Sequence, residues 1–169
     1  MEPWLTGRLN DMPPVLAALL YSFAHAREDL SRWTEGLTDE QIWRRSGEVA
    51  SIGFHIRHLA GSVDRLISYA AGEQLNALQL AELKAEQNES GPTREELLTF
   101  LDEKISRAEA LVNAIDPSSF TLIREIGRKR VPVPLGVLLV HISEHTQRHV
   151  GAAIVTTKIV RNGSQEASN

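Results

Sequence analysis

Apolar residues recur along this chain with the period of an α-helix in four long stretches, and the breaks between them carry the residues expected at helix ends. Asp11-Met12-Pro13-Pro14 opens the first helix, with prolines in the first turn, where missing amide protons cost little. Leu16, Leu19, Leu20, Phe23, Leu30 and Trp33 form its apolar face, and Gly36 stops it. Thr38-Asp39-Glu40-Gln41 has the form of a capping box for a short helical turn leading to Trp43. The second helix starts at Ser51 and runs to about Gly72, with Ile52, Ile56, Leu59, Val63, Leu66 and Ala70 as its stripe. Residues 73–91 are leucine-rich, then acidic and polar, and predict a long connection with room for a short helix before the Gly91-Pro92 break. Thr93-Arg94-Glu95-Glu96 opens the third helix with acids at its positive end; Leu97, Leu98, Leu101, Ile105, Ala108, Leu111 and Val112 form its inner face, and Asp116-Pro117 ends it.

Phe120 to Gly127 alternates like a strand too short to build a sheet, and with Val131-Pro132-Val133-Pro134 it predicts a hairpin or extended arm beside the last helix. Leu135 to Val160 reads as the fourth helix and Arg161 to Asn169 as a flexible tail. The fold class expected is all-α: a four-helix bundle with a long connection between its second and third helices, in a single domain over residues 1–160.

A length of 169 residues with 42% hydrophobic content suits one domain with a sizeable core. No run approaches the ~20 apolar residues of a membrane span, and Glu2, Asp11 and the paired prolines do not make a secretory leader, so a cytoplasmic protein with no membrane partner is expected. The absence of cysteine excludes disulfides, zinc-thiolate sites and a cysteine nucleophile. A net charge of -4 argues against nucleic acid as a partner, and the basic run from Arg124 to Arg130 is short, contains Glu125 and reads as a solvated loop.

The chemistry concentrates in His141-Ile142-Ser143-Glu144-His145-Thr146-Gln147-Arg148-His149. Positions four apart on a helix lie ~6 Å apart on nearly one face and can share a metal ion. On a wheel started at Leu138, His145 and His149 fall in the middle of the stripe of Leu138, Ile142, Ala152 and Thr156, with His141 at its edge. Neutral imidazoles facing a core need partners for their nitrogens, and a shared cation supplies one to both. Zinc-like ions take three or four protein ligands, so a third donor must come from elsewhere. His25 falls off the apolar face of the first helix and reads as exposed; His55 and His58 lie on the same flank of the second helix, and the wheel does not choose between them.

Ser51-Ile52 leading to His58-Leu59-Ala60, together with His145-x-x-x-His149-x-Gly151 in the last helix, resembles the pattern of the DinB-like metal-binding four-helix bundles. The likeness extends over most of the chain, including Trp43 with its arginine neighbours before the second helix. It implies His58, His145 and His149 as ligands of one divalent ion, zinc or nickel, a second and third helix running parallel, and a homodimer. The chain departs from the family in one place: Val150-Gly151-Ala152 stands where Arg-Gly-Gln often follows the last histidine, and Arg148 precedes His149 instead.

Three neutral ligands leave a position open, which favours catalysis: a metal-dependent hydrolase, or a transferase activating the thiolate of a small cofactor, with a small-molecule substrate. Candidate helpers are His55, His141, Glu144, Arg65 and Trp43. For Arg65 an ion pair with a bundle acid is the stronger expectation, for Glu144 solvent exposure, and for Trp43 packing. The alternative is a non-catalytic, stress-associated or structural dimer in which the ion staples two helices.

Overall fold

The structure, a computed structural model, describes residues 2–88 and 90–166. Its helices are α1 (Pro14–Thr34), α2 (Asp39–Trp43), α3 (Ile52–Ala70), α4 (Ala77–Ala85), α5 (Arg94–Asn113) and α6 (Leu135–Glu166). Strands β1 (Ile123–Ile126) and β2 (Val131–Pro134) pair antiparallel, Ile123 opposite Pro134 and Ile126 opposite Val131. The fold is therefore mainly helical, with the expected hairpin before the last helix.

Local chemistry explains where the helices begin. Thr38, Asn76 and Thr93 each form a capping box with Gln41, Gln79 and Glu96, and the Ser51 hydroxyl accepts from the Phe54 amide. Gly36 and Gly72 follow α1 and α3 with φ of 74° and 86°, a backbone that residues with a Cβ resist. The connection after α3 holds α4, opened by the Asn76–Gln79 box that the residue pattern left unassigned.

The four long helices each pack against two others: α1 against α5 and α6, α3 against α5 and α6. Ile56, Leu59, Val63 and Ile67 of α3 meet Leu97, Leu101, Ile105 and Val112 of α5 and Leu139, Ile142, Val150 and Ala153 of α6 in one buried apolar cluster. Cross-helix bonds show their directions. Arg57 of α3 reaches Ser90 just ahead of α5, and Asp64 meets Arg107, so these two helices run parallel. His55 meets His149 and Ser62 meets His145, so α3 and α6 run antiparallel.

A helix packed on so many sides buries polar groups as well. Asp64, 1% exposed, accepts from Arg107 (2.8 Å) and from Gln79 of α4 (2.7 Å), which also reaches Ser68; Lys104 stands 3.5 Å away. Arg124 at the start of the basic run donates to the Ala70 carbonyl at 2.7 Å, capping the last turn of α3, and Arg130 pairs with Glu125. Arg124 is thus tied to the bundle, while Arg128, Lys129 and Arg130 stay exposed at the hairpin turn, as the reading of a solvated loop expects. No helix among the described residues is long and apolar enough to cross a membrane.

Two expectations about the last helix change. It continues six residues past Val160, to Glu166, and residues 167–169 of the expected tail lie outside the described residues. Its buried arc keeps Leu138, Ile142 and Thr156 of the expected stripe but is centred to one side of it: Leu139, Thr146, Val150, Ala153 and Thr157 are also buried, whereas His145, His149 and Ala152 are only half-buried. Because α6 packs against α1 and α3 together, the centre of its apolar face points between those helices, and the histidines fall on the flank towards α3.

Leu101→Ala, at a site 1% exposed, should cost about 2–5 kcal/mol of unfolding free energy in urea titrations. Val155→Ala, at 56% exposure, should stay within about 0.5 kcal/mol of the parent.

Candidate metal centre

The antiparallel register of α3 against α6 sets the ring of His58 between those of His145 and His149, with centroids 5.3 and 4.5 Å away. His145 and His149 stand 4.6 Å apart, as the four-residue step along one helix face requires. Each of the three offers a ring nitrogen, and all three nitrogens lie within 4.8 Å of one another. The cluster occupies the groove between α3 and α6, half-buried, rather than the core centre.

Each ring is held at Nδ1. His58 Nδ1 lies 2.7 Å from Oε2 of Glu86, the residue that caps the end of α4 and is only 2% exposed. His145 Nδ1 lies 3.3 Å from Ser62 Oγ, whose own proton goes to the Leu59 carbonyl, so the hydroxyl accepts and His145 donates. His149 Nδ1 lies 3.1 Å from His55 Nδ1. A carboxylate and an already-donating hydroxyl place the protons of His58 and His145 on Nδ1, which leaves Nε2 with its lone pair free. The donor set therefore fits a divalent ion: three imidazoles, two with the metal-binding nitrogen already selected.

The electrostatics act in the same direction. Burial, followed by the neighbouring His58, lowers the imidazole of His145 from its ordinary 6.5 to about 4 and that of His149 to about 3. Burial and His58 also lower His55. The rings stay neutral where a free histidine begins to protonate, and neutral imidazole is the ligand form.

The other predicted residues divide. His55 touches the cluster through His149 and feels the charge of His58, and Phe54 stacks on His58 at 5.4 Å and an interplanar angle of 10°. Arg65 stands beneath Glu86, with Nη1 2.5 Å from Oε1, in the expected ion pair with an acid. His141 is exposed; its Nδ1 meets Glu144 at 2.9 Å, and Glu144 also accepts from Arg148, whose hydrogen bond is the main cause holding its carboxyl below the usual range. This trio lies beside the centre on the solvent side. Trp43 packs closely over Gly53, donates to the Pro92 carbonyl and carries the guanidinium of Arg57 at 4.7 Å, so it serves packing. His25 is half-buried rather than exposed, and pairs with Glu2 away from the cluster.

Residue patterns missed Glu86 and Ser62. The signal for the first is Gly61, midway between His58 and Arg65, where a Cβ would collide with Glu86 and Arg65. A polar cavity of about 270 Å³, walled by Arg45, Ala50, Ser51, Phe54 and Glu86, touches the centre through Phe54 and Glu86. A more apolar one of about 340 Å³ reaches Glu86 from the α4 and α5 side, past Gly61, Leu97 and Phe100; neither cavity is lined by a histidine.

No curated protein matches the chain. The sequence profile of the DinB superfamily matches residues 22–153, a span that takes in most of α1, all of α3 to α5, and α6 as far as the two histidines and the residues just beyond them. With a match over well more than half of its length, this chain belongs to the DinB superfamily.

Proposed function

We propose that this DinB-superfamily chain is a four-helix bundle that binds one divalent ion through Nε2 of His58, His145 and His149. The open position of the ion would then serve a metal-dependent reaction, either hydrolysis or a transfer in which the thiolate of a small cofactor is activated. The observation that carries the reading is the engagement of all three Nδ1 atoms around a cluster whose nitrogens lie within 4.8 Å of one another. Three nitrogen donors without sulfur suit a borderline ion such as zinc or nickel. When bound, a divalent ion on three neutral imidazoles supplies a Lewis acid with a site left for substrate or water.

The chain's own residues prepare that site. Glu86, Ser62 and His55 orient the rings, and Phe54 covers one face of His58. The neighbouring cavity of about 270 Å³, which meets the cluster at Phe54 and Glu86, has room for a small substrate.

Elemental analysis of untagged protein should find one divalent ion per chain. His58→Ala, His145→Ala and His149→Ala should each abolish stoichiometric loading, while His141→Ala and His25→Ala should leave it intact. His55→Ala should keep the stoichiometry and weaken affinity, because His55 holds a ligand ring. Full metal content in both His145→Ala and His149→Ala would sink the assignment. Cobalt-substituted protein titrated with a small thiol tests the open position: the visible spectrum should shift on binding, and an unresponsive spectrum argues for a closed, structural ion.

Chelation should lower the melting temperature without erasing helical circular dichroism, since the apolar core forms from helix packing alone. Saturating metal should restore roughly 3–4 kcal/mol when its free concentration is a hundred to a thousand times the dissociation constant. The metal-free protein carries its own pH dependence. His145 and His149 hold values of about 4 and 3 when folded, against an ordinary 6.5, so the unfolded chain takes up protons first as pH falls. Stability should be level above neutrality and decline from about pH 6.5 downward, before carboxylates titrate. Melting curves of the double variant His145→Gln, His149→Gln should show a flatter decline between about pH 6.5 and 5.

A further inference from the structure

The long connection between α3 and α5 delivers one carboxylate into the wall of the histidine cluster. Glu86 is 2% exposed, and both its oxygens are used: Oε1 meets Arg65 Nη1 at 2.5 Å, and Oε2 meets His58 Nδ1 at 2.7 Å and Arg65 Nη2 at 3.3 Å. Its backbone carbonyl accepts from Arg57 at 2.8 Å, and the same guanidinium reaches the carbonyls of Asn88 and Ser90, so the segment is clamped to α3 at Glu86 and just beyond it. Gly61 leaves the space: a Cβ there would collide with Glu86 and Arg65. A buried ion pair of this kind gains little stability over apolar packing, because both charges lose their water. The arrangement needs another reason, and the proton on His58 supplies it.

We infer that Glu86 is a positioning residue for the metal centre: held by Arg65, it fixes His58 as the Nδ1–H tautomer and points its Nε2 lone pair at His145 and His149. The inference deepens the metal-binding reading and rests on it. Free imidazole can carry its proton on either nitrogen and can turn about its side-chain bonds; a fixed acceptor removes both freedoms before the ion arrives. Arg65 takes part by occupying Oε1 and balancing the charge, so that the carboxylate remains an acceptor facing the ring. Carboxylate partners of ligand histidines typically change metal affinity by about 10–100-fold.

The test measures the tautomer and the affinity separately. In metal-free wild-type protein at about pH 7.5, above the ordinary imidazole range, nitrogen-15 NMR of the histidine rings should show His58 protonated at Nδ1. In Glu86→Gln that preference should be lost, and zinc affinity measured by chelator competition should fall by about 10–100-fold. Asp64→Asn is the structural control, since Asp64 is equally buried, anchors the same connection through Gln79 and touches no histidine. It should lower the melting temperature yet leave zinc affinity and the His58 tautomer unchanged. A wild-type His58 protonated at Nε2 overturns the inference, and that measurement stands even if Glu86→Gln does not fold. Unchanged zinc affinity in a folded Glu86→Gln protein, or an equal loss in Asp64→Asn, overturns it as well. Wild-type protein that takes up no metal overturns instead the reading of the site itself.

Discussion

Helix α3 is enclosed by α5 and α6, by α4 over its outer side and by the hairpin at its end, and yet it carries Asp64 and Arg65 where solvent cannot reach them. Leaving either charge unpaired would cost several kcal/mol, enough to cancel much of the stability of a domain this size. The chain meets that constraint with the connection that follows α3. Gln79 of α4 answers Asp64, with Arg107 and Lys104 of α5 completing its shell, and Glu86 answers Arg65. Covering the buried charges and building the wall of the histidine cluster are thus one structural event, and the position of His58 depends on it.

The cluster shows the same economy at the level of single protons. A carboxylate, a hydroxyl committed to a backbone carbonyl and a second imidazole each occupy one nitrogen of a ring. Partial burial keeps His145 and His149 neutral well below the ordinary imidazole value. Burial deep enough to exclude solvent would close the cluster to an incoming ion, and full exposure would leave the rings free to protonate and rotate. The groove between α3 and α6 lies between these limits, and the rotation of α6 away from the expected wheel is what puts the rings there.

Much of this was legible in the residues. Apolar periodicity located the four long helices, Ser51 and Thr93 marked two of their starts, and the alternation around Ile123 and Val133 announced the hairpin. The two last-helix histidines were readable as neighbours because a four-residue step on a helix is a distance. His55 and His58 were not separable this way, since both lie on one flank of α3; the register against α6 puts the His58 ring between His145 and His149 and leaves His55 bonded to His149. Glu86 lay in an acidic, polar stretch with no spacing to connect it to a histidine 28 residues earlier.

What the sequence by itself determined is whatever neighbours along the chain decide: which segments are helical, where they are capped, and which histidines share a helix face. Those depend on interactions spanning a few residues, which a linear pattern records. Among the α3 histidines, helix geometry left the choice open, and only the family resemblance pointed to His58 before the register of the helices brought it to His145 and His149. The tertiary structure alone decided how far α6 is turned against α3 and which acid reaches the ring of His58. Each of those depends on the packing of surfaces distant in sequence, where a rotation of part of a turn exchanges a core threonine for a half-buried histidine.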